Sequence, residues 1–292
     1  MSTTHHIRNE AIPFIKMHGI GNDYVYINCM ESMPDRLPEL AREMSDRHFG
    51  IGSDGIVLIC PSTDPRAHYR MRMFNSDGSE ARMCGNASRC IAALLHNHAI
   101  CSLNPINLET LSGIKVLTLN LEGDRLISVT VDMGAPEFLP ELIPVLYEGK
   151  SMIEKPVRVG DMTINVTAVS MGNPHCVVFE DVSGQYDFCR VGPALEKHPL
   201  FPDRANVEFA HIGCDGSITI RVWERGTGET LACGTGACAT VAAAVHSGRV
   251  EKGKDVTVHL RGGDLAVCMT DETIKMTGPA TEVFSGNYYR RV

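Results

Sequence analysis

The chain carries one strand, turn and cysteine signature twice. Shifting it by 149 positions, the separation of Cys84 from Cys233, lays "RMFNSDGSEARMCGNASRC" (72–90) on "RVWERGTGETLACGTGACA" (221–239). Arg72 then meets Arg221, Phe74 meets Trp223, Glu80 meets Glu229, and each Cys-Gly pair meets the other. "GNDYVYI" (21–27) falls on "GNPHCVVF" (172–179) at nearly the same offset and in the same order. Self-similarity at one spacing means one structural plan used twice. The expectation is two pseudo-symmetric lobes that face one another across a cleft.

Within each lobe most segments alternate polar and apolar residues and end in Gly, Asn or Asp, the pattern of short strands. "YRMRMF" (69–74), "IKVLTLNL" (114–121), "LISVTVDM" (126–133), "INVTAVSM" (164–171), "SITIRVW" (217–223) and "DVTVHL" (255–260) are the clearest. Helices are expected near 37–47, after Cys84, after Cys233 and, as a short piece, near 193–198. "ACATVAAAVHSG" is small and apolar all round, which suits a helix enclosed by strands and ending at Gly248. The class is therefore α+β. Prolines cluster in "DMGAPEFLPELIP" (132–144), which places an N-terminal lobe at 1–133 and a C-terminal lobe at 134–279. The last segment, 280–292, is a candidate to return to the first lobe.

The chemistry lies at the two cysteines. Each follows a strand and a Gly-containing turn and precedes a helix, where unpaired N–H groups and the helix dipole favour thiolate over thiol. The N–H groups of Gly85 and Asn86, and of Gly234 and Thr235, form a ready site for a carboxylate. Two such thiols approaching one molecule from opposite sides could invert a carbon centre, one removing a proton and the other returning one. Bound by its carboxylate, an α-amino acid would have its developing negative charge stabilised where it appears. No cofactor is required, and the sequence holds no P-loop, no G-x-G-x-x-G after a strand and no persuasive metal cluster. The repeat is not perfect. His175 falls opposite Tyr24, and Glu224-Arg225 opposite Asn75-Ser76. Such unmatched polar residues are where one asymmetric substrate would be read.

Bulk properties narrow the partners. A formal charge of −8, with no long Lys/Arg run, argues against a nucleic-acid surface. No apolar run approaches a membrane span, and the start lacks a secretory pattern. Eleven cysteines without a C-x-x-C, in a chain this long, read as free thiols in a reducing cytoplasm. A small-molecule partner is expected, with no membrane and no nucleic acid.

These motifs resemble the diaminopimelate epimerases, enzymes that interconvert LL- and meso-diaminopimelate on the route to lysine and peptidoglycan precursors. The likeness runs through "FIKMHGIGNDYVYIN" (14–28), "FNSDGSEARMCGN" (74–86), "SMGNPHCVVF" (170–179), "RANVEF" (204–209) and "WERGTGETLACGTGACA" (223–239), and so covers nearly the whole chain. It implies two lobes, each a barrel-like sheet around a central helix, with the active site in the cleft between them. It also implies Cys84 and Cys233 as the acid/base pair, no cofactor, no metal, and a homodimer. Gly85, Asn86, Gly234 and Thr235 match positions that hold the reacting carboxylate. His175 and Glu224 match positions near the ammonium. Asn22, Asn75, Asn173, Asn206 and Arg225 match those that grip the substrate, its far end above all; the guanidinium suits a carboxylate because it donates two parallel bonds. Two departures stand out. Ala87 replaces the second Gly of a common C-G-N-G, and Gly55 stands where some members carry a Gln contact.

Other readings compete with this one. A racemase of another amino acid, such as histidine, could use the same scaffold, although it would leave Arg225 without a distal carboxylate. A single-cysteine isomerase or hydrolase with His175 as base would need only one thiol. A non-catalytic amino-acid binder would leave the Cα proton in place. Cys84, Cys90, His96 and His98 have a spacing that fits no usual zinc site.

Overall fold

Period-two runs become strands, and the runs after the two cysteines become helices, in a computed structural model that describes residues 9–180 and 184–291. In chain order the first elements are β1 (Asn9–Gly19), β2 (Asn22–Asn28), α1 (Leu37–Ser45), β3 (Gly55–Pro61), β4 (Tyr69–Asn75), β5 (Glu80–Ala81), α2 (Gly85–Asn97), β6 (Ile106–Thr110), β7 (Gly113–Glu122) and β8 (Arg125–Gly134). There follow β9 (Lys155–Val159), β10 (Met162–Ser170), β11 (Pro174–Glu180), α3 (Phe188–Glu196), β12 (Asn206–Ile212), β13 (Ile218–Glu224), β14 (Gly228–Thr230), α4 (Gly234–His246), β15 (Asp255–Leu260), β16 (Gly263–Met269), β17 (Ile274–Gly278) and β18 (Thr281–Arg291). They form two compact units, Met1–Leu126 with Ala280–Val292, and Ile127–Pro279.

In the first unit the strands pair in the order β18-β1-β2-β3-β4-β6-β7, with β5 also on β4. All neighbours are antiparallel except β2/β3 and β4/β6. Parallel neighbours cannot be joined by a hairpin, so each needs a crossover; α1 provides one and α2 the other. Leu37, Leu40, Ala41 and Met44 of α1 pack with Val25, Ile27, Ile56 and Leu58 on one sheet face. Alternation sends Tyr24, Tyr26 and Val57 to the other face, where α2 lies. That helix touches β18, β1 and β2 near one end of the strand order and β7 at the other, so the sheet curls around it.

The second unit repeats the plan as β9-β10-β11-β12-β13-β15-β16-β17-β8, with β14 also on β13. Its parallel steps are β11/β12 and β13/β15. Phe188, Val191 and Leu195 of α3 pack on Val166, Cys176, Val178, Val207 and Phe209. α4 touches β10, β11 and β12 as well as β16 and β17. Ala237, Ala239, Ala242, Ala243 and Ala244 are fully buried, and their small side chains let strands approach the helix from several directions. Among the described residues no helix is long and apolar enough to cross a membrane.

Two details differ from the sequence reading, the unit boundary and the start of α3. The unit boundary lies at Leu126/Ile127, ahead of the proline cluster, because β8 already pairs with β17 (Thr130↔Thr277, Val131↔Met276). The C-terminal strand β18 lies antiparallel to β1 in the first unit, and buried Arg290 ties it to α1 through Glu43 and to the Asp35 carbonyl at 2.8 Å. The helix expected near 193–198 begins at Phe188, with Pro193 in its interior. Asp187 caps it, its carboxylate accepting the Arg190 N–H at 3.3 Å, and this start outweighs the proline signal.

The two enclosed helices end alike. After α4, Gly248 takes a left-handed φ of 72°, with Arg249 N–H bonded to Ala244 O and Gly248 N–H to Val245 O. After α2 the same two bonds form around Ala99 at φ 53°. This turn favours glycine, because a Cβ is strained there. Ala99→Gly should therefore raise the unfolding free energy by about 0.5–1 kcal/mol, and Gly248→Ala lower it by about as much, in urea titrations. Opposite signs at the two positions are the outcome that checks the assignment.

Candidate active site

Each cysteine caps its helix with extended backbone: Cys84 at φ −139°, ψ 121°, and Cys233 at φ −124°, ψ 104°. Extended backbone at this position leaves the first N–H groups of the helix directed outward past the thiol.

In the first unit Asn22 gathers the site. Its Oδ1 accepts from the Cys84 thiol at 3.4 Å and from Asn86 Nδ2 at 3.3 Å, while its Nδ2 donates to Asp54 Oδ2 at 2.8 Å. Asp54 also accepts the Asp23 N–H at 3.1 Å and pairs with Arg47 at 3.1 Å. Burial and the nearby Asp23 charge push the Asp54 carboxyl up. Burial opposes charge on Asp23 too, but Lys16 and Arg47 donate to it and hold it below the usual carboxylate range. Gly85 and Asn86 open α2 and are buried. Asn75 ends β4, opposite Gly55, and its Nδ2 donates to Ser79 Oγ at 3.0 Å. At Gly55 a Cβ would stand 2.1 Å from the Phe74 carbonyl, so this backbone leaves no room for a Gln there.

In the second unit the polar residues are packed more tightly. His175 is fully buried, with Nδ1 2.7 Å from Glu208 Oε1 and Nε2 3.0 Å from Asn173 Oδ1. Asn206, its neighbour across β11/β12, donates to the Pro174 carbonyl at 3.3 Å and accepts the Arg225 N–H at 3.0 Å. Arg225 turns its guanidinium to the Asp203 carbonyl at 2.8 Å. Glu224 accepts from Thr230 Oγ1 at 2.6 Å, and burial together with the Glu208 charge raises its carboxyl. The Cys233 sulfur accepts the Gly236 N–H at 3.4 Å and lies 3.5 Å from Thr235 Oγ1.

Cys233 departs from the expectation that a helix start favours thiolate. Burial, then the charges of Glu224 and Glu208, push its thiol well above the ordinary value despite the bonds from Thr235 and Gly236. Cys90, equally buried, is pushed up to about 11. His96 and His98, considered with Cys84 and Cys90 as metal ligands, meet the Asp124 carbonyl at 3.1 Å and Glu282 at 3.0 Å.

Sequence reasoning passed over Glu208 and Asp54. A signal for Glu208 was present: in "NVEFAHI" it lies two residues after Asn206, and hence on the same strand face. Asp54 gave no comparable sign, since "GSDG" reads as an ordinary turn.

The diaminopimelate epimerase family model matches residues 14–139 and 167–283. A diaminopimelate epimerase of Desulfovibrio desulfuricans is 50% identical over 287 residues, spanning 96% of this chain and 99% of the relative. One from Methanococcus maripaludis is 48% identical over 275 residues, spanning 94% and 98%. Among solved structures, a hydroxyproline epimerase from Agrobacterium vitis superposes with a TM-score of 0.71 at 17% identity, covering 97% of this chain and 93% of that one. A PhzF-family phenazine biosynthesis protein from Bacillus anthracis gives 0.68 at 16%, covering 96% and 99%. At such identities the structures share the fold.

The raised Cys233 thiol has a direct consequence. A group whose neutral form is favoured by burial ionises only above its ordinary pH, so the thiolate fraction near pH 8 falls. Peptide mapping of iodoacetamide labelling against pH should place the Cys233 midpoint above that of a free cysteine thiol measured alongside. Coincident midpoints would contradict the assignment.

Proposed function

The chain belongs to the diaminopimelate epimerase family, and from that premise we propose that it interconverts LL- and meso-diaminopimelate by two-base proton transfer at Cα. Cys84 and Cys233 carry the protons. The observation that supports this most strongly is that both cysteines cap 13-residue helices at matching places of a duplicated fold.

One thiol must give a proton while the other takes one. Cys233, beside two carboxylates, enters with its proton in place. Cys84 then takes the Cα proton as thiolate, and the reverse reaction exchanges the roles. Removing that proton sends negative charge onto the substrate carboxylate. The N–H groups of Gly85, Asn86, Gly234 and Thr235 meet this charge, because helix starts present unpaired donors to anions. Glu224, a carboxylate, suits the substrate's ammonium, and His175 orients beside it. Asn22, Asn75, Asn173 and Asn206 supply amide donors and acceptors to the remaining polar atoms. Arg225 reaches the distal carboxylate by giving up its bond to the Asp203 carbonyl. The finer parts of the reading are a homodimer working in the cytoplasm toward lysine and peptidoglycan precursors, and they rest on the family likeness.

Incubating the protein with LL-diaminopimelate in heavy water should give the meso isomer with deuterium at the inverted carbon. Cys84→Ser and Cys233→Ser should each cut the rate by about 10²–10⁴-fold, the usual weight of a positioned acid or base. Full activity in either variant would leave the two-base mechanism untenable. Equal turnover of histidine or another single-centre amino acid would shift the substrate assignment.

A further inference from the structure

Glu208 lies on β12 with no exposed surface. A buried carboxylate is tolerated only where it is paired. Its Oε1 meets His175 Nδ1 at 2.7 Å, and its Oε2 is buried without a hydrogen-bond partner. The other His175 nitrogen faces Asn173 Oδ1 at 3.0 Å. Both neighbours of the ring are acceptors, and only the imidazolium donates from both nitrogens. The same Oε1 presses on the first turn of α4: a Cβ on Gly236 would stand 2.7 Å from it and 3.3 Å from Cys233 Sγ.

The other half of the duplication supplies an internal control. At the offset that aligns β3 with β12, Glu208 corresponds to Val57, and at the cysteine offset Gly236 corresponds to Ala87. Where the acid is absent, a Cβ is accommodated, fully buried. Acid and glycine thus occur together and are absent together. Among the described residues, the groups acting on Cys233 are Glu224 from the end of β13, Glu208 from β12, and Thr235 and the Gly236 N–H from α4 itself; His175 of β11 acts on Glu224 and bonds Glu208.

We propose that Glu208 is a positioning residue for the reaction: it holds His175 as a doubly donating imidazolium and fixes a negative charge beside the Cys233 thiol. The inference rests on the epimerase reading for its kinetic consequence only.

Glu208→Gln preserves shape and removes the charge. The expected result is a kcat at least about tenfold lower with KM nearly unchanged, and an iodoacetamide midpoint for Cys233 lower by about one pH unit. In addition, the nitrogen-15 signals of His175 should lose their doubly protonated signature. Gly236→Ala should move kcat and the midpoint in the same directions by displacing the carboxylate. Variants that match the wild type in kcat and midpoint would overturn the proposal. Should neither variant fold, the wild-type protein carries the test: both His175 nitrogens protonated at pH 7–8 supports it, and a single neutral tautomer overturns it. Absence of solvent deuterium exchange in the wild type would instead remove the epimerase reading, while the His175 and Cys233 measurements would still decide this one.

Discussion

In both units a cysteine begins a helix that is packed against strands from opposite ends of a curled sheet. An enclosed helix cannot tilt or fray at its first turn without opening the strands around it. The thiol and the first N–H groups are therefore held by the same packing that forms the core. Ala-rich α4 shows how far this goes: ten of its residues are buried, and its small side chains let β10–β12 and β16–β17 approach from different directions. Nearness between backbone and sheet becomes rigidity at the sulfur.

Duplication explains the backbone of the site and divergence explains its chemistry. The strand–helix succession β2-α1-β3-β4-β5-α2-β6 recurs as β11-α3-β12-β13-β14-α4-β15, with the same two parallel steps. On that shared frame the first unit surrounds its thiol with amides: Asn22 bridges Cys84, Asn86 and Asp54. The second places two acids, Glu208 and Glu224, beside its thiol, and Glu208 in turn bonds His175. Tyr24 and Gly55 pair across β2/β3 just where His175 and Asn206 pair across β11/β12. One backbone geometry thus carries two electrostatic environments.

Much of this was legible in the sequence because repeats and alternation are local patterns. The period of two located β4, β7, β8, β10, β13 and β15 to within about two residues, and the small-residue runs located α2 and α4. The residues that bond inside each unit around the cysteines, Asn22 with Asn86 and His175 with Asn173, were named through the family resemblance. What escaped depended on partners distant in sequence. Asp54 matters because it holds an amide thirty-two residues away, and Glu208 because it meets a ring thirty-three residues away. The state of Cys233 was misjudged for the same reason: the helix start was visible in the chain, whereas burial and two converging carboxylates arise only on folding.

That misjudged charge bears on why a duplicated enzyme would break its own symmetry. A two-base reaction begins with one thiol and one thiolate, and two identical environments would leave it to chance which sulfur held the proton. Acids beside Cys233 raise its proton affinity, and an amide, Asn22, accepts from the Cys84 thiol. Glu208 stands where the first unit has Val57, and Gly236, whose Cβ would lie 2.7 Å from that acid, stands where the first unit has Ala87. On the proposed two-base reading, divergence of the copies sets the starting protonation as well as the fit to an asymmetric molecule.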